Sequence, residues 1–468
     1  MPFLISFLAS LYRKLVMGSG GSSGSGGDNG RNVKWVDGLR GMASFLVLLT
    51  HLARAFDYNL FNARDTEDGP IRLLQHPVLR IPWQGRIGVT IFAFLTGYVC
   101  ALKPLRLSRA GNHNTAFSSI AKSAFRRPIR LIMPATIALV LSWTIAQFGA
   151  FTVGRRCDSG WLRFSSVSVN PSFLHEVKRL FRVFLATWTN GHMDYDDHQW
   201  ALLPLLKGSM MVYVTLVATM YVQYRYRMLV YVGMYMYFWQ NPAADTETFG
   251  QQFYLGMFLS DMANHQPTQS FISSRRWTRM IVCLVLASIG LFVASYPTHH
   301  AEWCGWSNFL LQLSKYIFPR ETNLGKRYTA LGVDLVILSI YLSPSTKALL
   351  SKPFFLWLGR NSFAVYLTHG TLLRTVLVWM IYGISGQPWK EWKNDKGEME
   401  HSPFLPRGSG LNFAISIPTW FVLVYIVAHY WTTYVDSFCA RMTQKLENFV
   451  FEQTEKSPMN GLPIIFVQ

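Results

Sequence analysis

Arg40 and His51 lie in the first long apolar run of the chain, Asp37-Gly38-Leu39-Arg40-Gly41-Met42-Ala43-Ser44-Phe45-Leu46-Val47-Leu48-Leu49-Thr50-His51. Their offset of eleven positions is about three helical turns plus roughly 20°, so they share a face about 16 Å apart along the axis. A guanidinium binds phosphate, and a neutral imidazole near pH 7 accepts a proton from a hydroxyl. An ionisable group inside an apolar helix is a functional-site candidate because burying it in lipid is costly. The structural reading is that Arg40 snorkels to the interface while His51 hydrogen-bonds within a helix bundle.

Three further segments carry polar groups in apolar surroundings. In Gly88-Val89-Thr90-Ile91-Phe92-Ala93-Phe94-Leu95-Thr96-Gly97-Tyr98, the small pair Thr96-Gly97 permits close helix approach. Phe125-Arg126-Arg127-Pro128-Ile129-Arg130 opens the third apolar run. Arginines just ahead of a helix N-terminus form an anion site in which guanidinium and helix dipole act together. Topogenic arginines bound to lipid phosphate would look the same. In Gly359-Arg360-Asn361-Ser362-Phe363-Ala364-Val365-Tyr366-Leu367-Thr368-His369, the side chains of Ser362, Tyr366 and His369 share a helical face. They form either a second polar centre or a structural hydrogen-bonded cluster.

Membrane helices must position these groups. Half of the 468 residues are hydrophobic and 15% are charged, against about 25% charged in soluble proteins. Apolar runs near the roughly 20 residues needed to cross a bilayer centre on 38–56, 84–102, 130–151, 201–222, 227–241, 246–262, 277–296, 329–343, 361–382 and 412–435. The expected fold is all-α, a polytopic bundle of about ten spans. The formal charge of +19 resides in alternate loops, at Lys103 to Arg127, at Arg225 and Arg227, and at Arg275 to Arg279. That alternation is the positive-inside pattern; it places both termini in the cytosol and points away from a nucleic-acid partner.

Residues 1–33 read as an interfacial segment and a Gly/Ser linker, 34–440 as the membrane domain, and 441–468 as a cytosolic tail. Within the long loop 153–199, Phe173 to Trp188 is amphipathic and expected to lie on or re-enter the membrane. The loop 383–411, with Trp389 and Trp392, reads as an interfacial cap. No repeat of 20–50 residues is present, which excludes solenoids and propellers. Of the five cysteines, Cys100, Cys283 and Cys439 read as packing residues, whereas Cys157 and Cys304 fall in loops on the non-cytosolic side. A bridge between those two is expected if that side is an oxidising lumen.

Taken in order, these segments resemble the acyltransferase-3 family of integral-membrane O-acyltransferases, and its fungal branch most closely. The resemblance rests on the Arg-x10-His helix at Arg40 and His51, the Gly88 to Tyr98 helix and the Arg126 to Pro134 entry. It continues through Gln199-Trp200 with Gly208-Ser209, Phe253-x-x-Gly256-Met257, and Gly359 to His369, covering about residues 34–440. It implies transfer of an acyl group, usually acetyl, from cytosolic acyl-CoA to a hydroxyl. Arg40, Arg126, Arg127 and Arg130 would bind the coenzyme, with His51 as general base and His369 as a second catalytic group. Acyl-CoA would be a co-substrate, and neither a resident cofactor nor a metal is expected. One position departs from the pattern: Leu205 stands where the family usually has a glutamate. Asp194, Asp196 and Asp197 are the nearby carboxylates that could replace it, although a solvated loop is their expected setting.

The expected acceptor is a small metabolite, such as a fungal secondary metabolite, with a cell-envelope glycan or lipid as the alternative. The expected location is the endoplasmic reticulum or another endomembrane. A transporter would use the same kind of bundle, with His51 and His369 relaying protons, but its paired broken helices in symmetric halves are not visible here.

Overall fold

The computed structural model describes residues 33–241 and 249–451, so residues 1–32 of the expected N-terminal segment lie outside the described part. The chain is helical almost throughout. Its helices are α1 (Lys34–Phe56), α2 (Ile87–Arg109), α3 (His113–Gln147), α4 (Gly160–Ser165), α5 (Phe173–Thr189), α6 (Leu202–Thr219), α7 (Tyr224–Gln240), α8 (Gly250–Ala263) and α9 (Gln266–Ser274). They continue as α10 (Arg276–Ala294), α11 (Gly305–Ile317), α12 (Leu324–Leu342), α13 (Pro344–Leu350), α14 (Pro353–Leu372), α15 (Val378–Tyr382), α16 (Gly410–Trp431) and α17 (Ser437–Val450). The only sheet among the described residues is a hairpin, β1 (Glu391–Lys393) paired antiparallel with β2 (Met399–His401), inside the expected cap loop.

Seven helices among the described residues are long and apolar enough to cross a membrane, or eight if the α12–α13 pair, bent by 98°, is one broken span. Two of the expected ten spans are helical but short: α7 has 17 residues and α8 has 14. Almost every α8 side chain is buried, so its apolarity comes from packing inside the protein. The amphipathic segment is helix α5, with Phe173, Leu174, Phe181 and Leu185 exposed as an apolar face.

The basic segment at 126–130 departs from the sequence reading. α3 starts at His113 and runs for 35 residues, with Pro128 and Pro134 inside it. At 1.5 Å per residue that is about 52 Å, well beyond a hydrocarbon core of about 30 Å. Arg126, Arg127 and Arg130 therefore sit more than three turns past the N-terminus, too far for the helix dipole to help them. Their spacing of three and four residues puts them on one face of α3, and their anion-binding capacity is that of the side chains alone.

The expected disulfide is absent, and all five cysteines are free. The Cys157 thiol donates to the Gly154 carbonyl (3.1 Å), while Cys304 donates to the Ala63 carbonyl (3.4 Å) and accepts from Arg64 Nε (3.4 Å). Each is buried in a different part of the fold and already has hydrogen-bond partners.

One helix crossing sets the position of the polar groups. α1, which carries Arg40 and His51, packs closely along α14, which carries His369. A Cβ on Gly41 would overlap the backbone and side chain at Leu358 and Gly359, and one on Gly359 would overlap the Asp37 carbonyl. The missing side chains let the two backbones touch, which is how membrane helices gain close packing. Ser44 then reaches across to donate to the Ser362 carbonyl (3.2 Å, buried).

Candidate active site

His51 and His369 come together at that crossing, joined by a histidine that sequence reasoning passed over. His198 lies in a 3-10 turn, Asp197–Ala201, that leads into α6. The ring centroids of His51 and His198 are 3.7 Å apart, those of His198 and His369 4.9 Å, and those of His51 and His369 5.3 Å. Trp161 on α4 covers the group, stacked on His51 at 5.9 Å and 5.6 Å from His198.

A buried ionic frame holds the cluster. Asp196 accepts from His198 Nδ1 (2.6 Å), from Arg374 Nη2 (3.0 Å) and from the Gln199 amide (3.3 Å). Burial alone would raise this loop carboxyl, but His198 and Arg374 beside it hold it down at about 2. Because this carboxylate also accepts from Arg374, the 2.6 Å contact sets His198 Nδ1 as the donor. Arg374 also donates to the carbonyls of Gly370 (3.0 Å), Ser165 (2.7 Å) and Tyr195 (2.9 Å), tying α14 to the long loop. It sits in a π-helical segment, Leu373–Leu377, that continues α14; such segments recur at functional sites. A Cβ on Gly370 would overlap the His198 ring and the Asp196 carboxylate, so only glycine lets the loop seat there. Tyr366 donates to the His198 carbonyl. His369 Nδ1 points at the carbonyls of Val365 (2.9 Å) and Tyr366 (3.0 Å); carbonyls only accept, so this nitrogen is also protonated.

The three acidic candidates in the loop therefore separate. Asp196 is buried and frames the histidines, which corrects the expectation of a solvated loop there. Asp194 pairs with Arg179 (3.1 Å) and His192 (2.9 Å) away from the cluster, and Asp197 is half exposed with its carboxylate 3.5 Å from His198 Nδ1. His198, Arg374 and Trp161 were not anticipated, and Asp196 was expected only as one of three carboxylates in a solvated loop. The run Asp196-Asp197-His198-Gln199-Trp200 offered a signal, since it sets a histidine beside two carboxylates immediately before an apolar helix.

Arg40, Arg126, Arg127 and Arg130 line one cavity of about 760 Å³. Its wall also includes Thr96, Leu205, Tyr213, Ser362 and Tyr366, so the four expected anion-binding residues face a common space. Arg40 is paired with Asp37 (2.9 Å), Arg126 with Glu447 (3.4 Å), and Arg127 donates to Thr96 (3.2 Å). Tyr366, Ala201 and Leu202, close chain neighbours of His369 and His198, also line this cavity. A second cavity, about 480 Å³, lies beside Arg54 one turn beyond His51, and its wall includes Trp161, Phe164, Tyr58 and Arg407.

Comparison with known proteins decides what this arrangement is part of. An acyltransferase domain, the model of the acyltransferase-3 family, matches residues 33–435. The chain belongs to the acyltransferase-3 family. Among its relatives, the O-acetyltransferase PaAT-1 of Phomopsis amygdali is 26% identical over 381 residues, covering 73% of this chain and 72% of that one. The acyltransferase clz18 of Cochliobolus lunatus is 21% identical over 459 residues, 86% and 93% of the two chains. The acyltransferase R4 of a Phoma species is 23% identical over 414 residues, 75% and 86% of the two chains. No solved structure matches. The protein is an O-acyltransferase with several helices long and apolar enough to cross a membrane.

Proposed function

We propose that the enzyme transfers an acyl group, acetyl in the first instance, from acyl-CoA to a hydroxyl of a small apolar metabolite. The observation that carries the reading is the arginine-lined cavity whose wall includes chain neighbours of His198 and His369. Coenzyme A carries a diphosphate and a 3′-phosphate at one end of an extended arm with the thioester at the other. Arg40, Arg126, Arg127 and Arg130 would take the phosphates, since guanidinium forks match phosphate oxygens. The separation of about 16 Å between Arg40 and His51 along α1 suits the pantetheine arm.

The acceptor would occupy the second cavity, where Phe56, Tyr58, Trp161 and Phe164 suit an apolar body and Arg54, Asp158 and Arg407 offer polar contacts; its volume of about 480 Å³ suits a small ligand. His51, on the helix that carries Arg40 of the first cavity and Arg54 of the second, would take the hydroxyl proton as the oxygen attacks the thioester carbonyl. The C–O bond forms, the C–S bond breaks and coenzyme A leaves as the thiol. The Asp196–His198 pair would hold the neighbouring imidazole in one tautomer, and His369 would complete the polar lining. The alternating basic loops support cytosolic termini and a cytosolic entrance for acyl-CoA, in an endomembrane such as the endoplasmic reticulum.

The test is to purify the full chain in lipid nanodiscs and incubate it with radiolabelled acetyl-CoA and a panel of hydroxylated terpenoids and polyketides. Label should move to an acceptor or be released by slow hydrolysis, and His51→Ala should abolish this while the protein still inserts and runs as a single species. Full transfer by His51→Ala would remove the histidine from the chemistry. A wild-type protein that binds no acyl-CoA would overturn the donor.

A further inference from the structure

We propose that His51, His198 and His369 form a binding site for one divalent transition-metal ion of zinc type, with the oxygen of the acceptor hydroxyl as fourth ligand. The proposal rests on the acyltransferase reading and alters one part of it, since His51 then works as a ligand rather than as a free base.

The geometry points to a cation. The imidazoles come from three different elements, and one ligand nitrogen from each lies within 4.8 Å of the other two. His51 Nδ1, His198 Nε2 and His369 Nε2 are shut off from solvent and have no hydrogen-bond partner. The His198 and His369 residues are 3% and 0% exposed. Buried polar atoms are normally satisfied, so three orphans in one place call for a shared partner. A proton on one ring can bridge only one pair of nitrogens, whereas a cation accepts all three lone pairs.

The second nitrogens of two of the rings are already committed. His198 Nδ1 donates to Asp196 and His369 Nδ1 donates to backbone carbonyls, so both rings keep Nε2 as a lone-pair donor. A carboxylate or carbonyl behind the ligand is the usual support of a metal-binding histidine, because it fixes the tautomer and raises ligand basicity. Metal–nitrogen bonds of about 2.0–2.1 Å at tetrahedral angles set nitrogen–nitrogen distances of about 3.4 Å. The three ligand nitrogens, within 4.8 Å of one another, would have to draw together around the ion while the His51 and His198 rings, 3.7 Å apart, move aside. Three neutral imidazoles select zinc, copper, iron or nickel over magnesium or calcium, which prefer oxygen ligands. Three protein ligands with one open position is also the pattern of catalytic rather than structural zinc.

In that open position the ion would bind the acceptor hydroxyl and lower its pKa, as it does for bound water. The metal-bound oxygen attacks the thioester carbonyl carbon, the C–O bond forms and the C–S bond breaks. The departing thiolate takes the proton shed by the hydroxyl, giving ester and coenzyme A thiol.

The test uses the full chain carrying a non-histidine affinity tag, purified in nanodiscs. Metal content is measured by mass spectrometry alongside acetyl transfer from labelled acetyl-CoA. The expected result is about one equivalent of a divalent transition metal per wild-type chain. His198→Ala and His369→Ala should lose most of it, and His369→Gln, a milder change, keeps the measurement valid if the alanine variants fail to fold. Wild-type protein stripped with dipicolinate and reloaded with Co²⁺ should show the intense visible bands of a four-coordinate cobalt site, and Zn²⁺ should restore transfer. Full transfer by a preparation free of metal and indifferent to dipicolinate would overturn the site and leave the acyltransferase standing. Metal retained by the histidine variants would equally overturn it. A stoichiometric, histidine-dependent metal in a protein that never uses acetyl-CoA would support the site while refuting the donor.

Discussion

Arg374 carries the heaviest structural duty around the histidines, and a double-mutant cycle with Asp196 measures it. Arg374→Met removes the guanidinium from a fully buried pair (N–O 3.0 Å) and takes the donors from the carbonyls of Gly370, Ser165 and Tyr195. Breaking one side of a buried ion pair costs about 3–5 kcal/mol because the remaining charge is stranded. Of the three carbonyls only that of Ser165 is left without a donor, adding about 1–3 kcal/mol, since Tyr195 keeps the Ser142 hydroxyl (3.1 Å) and Gly370 the Leu373 N–H. The total, about 4–8 kcal/mol, is comparable with the stability of a marginal domain, about 5–15 kcal/mol. The single variant is therefore expected to accumulate poorly and to lose its monodisperse peak on mild heating. Asp196→Asn strands Arg374 instead, but keeps an oxygen for His198 Nδ1. With both changes the buried charge disappears from each side, so the double variant should be more stable than the sum of the single losses by about 2–3 kcal/mol. The assay is heat challenge followed by size-exclusion chromatography in detergent for wild type, both single variants and the double variant. Losses that add to within about 0.5 kcal/mol, as expected of independent sites, would refute the claim that this pair holds the site together.

Arg40→Ala should raise the KM for acyl-CoA by a factor of about two to five with kcat unchanged, because a half-exposed, already paired arginine is worth no more than about 1 kcal/mol; initial-rate kinetics with a kcat loss at unchanged KM would contradict it. Leu205→Glu sets a carboxylate into the wall shared with Arg126, Arg127 and Arg130, so it should weaken acyl-CoA binding by charge competition. A rise in kcat at unchanged KM would mean instead that it restores a group the chemistry wants. Cys157→Ser combined with Cys304→Ser should leave the thermal midpoint insensitive to reducing agents, as in the wild type, and a bridged peptide found by non-reducing mapping of the wild type would refute the free-thiol assignment.

Much of this protein was legible along the chain because its signals are local. Apolar runs of about twenty residues mark spans through backbone hydrogen bonding alone, since lipid offers the chain no other partner. Helical periodicity likewise put Arg40 and His51 on one face of α1, and Ser362, Tyr366 and His369 on one face of α14. What the sequence could not supply was depth and company. α7 and α8 are apolar like spans, yet α8 is buried by its protein neighbours, a distinction no hydropathy reading can make. α3 begins seventeen residues before its apolar run, so Arg126 to Arg130 act from mid-helix without the dipole of a terminus. Asp196 sits in a polar stretch that reads as solvated, but Arg374, 178 residues further on, neutralises it and draws it inside. His198 joins His51 and His369 only because Gly370 leaves room for its ring. Such burial depends on which helices cross and how closely, and that is decided by packing between segments far apart in the chain.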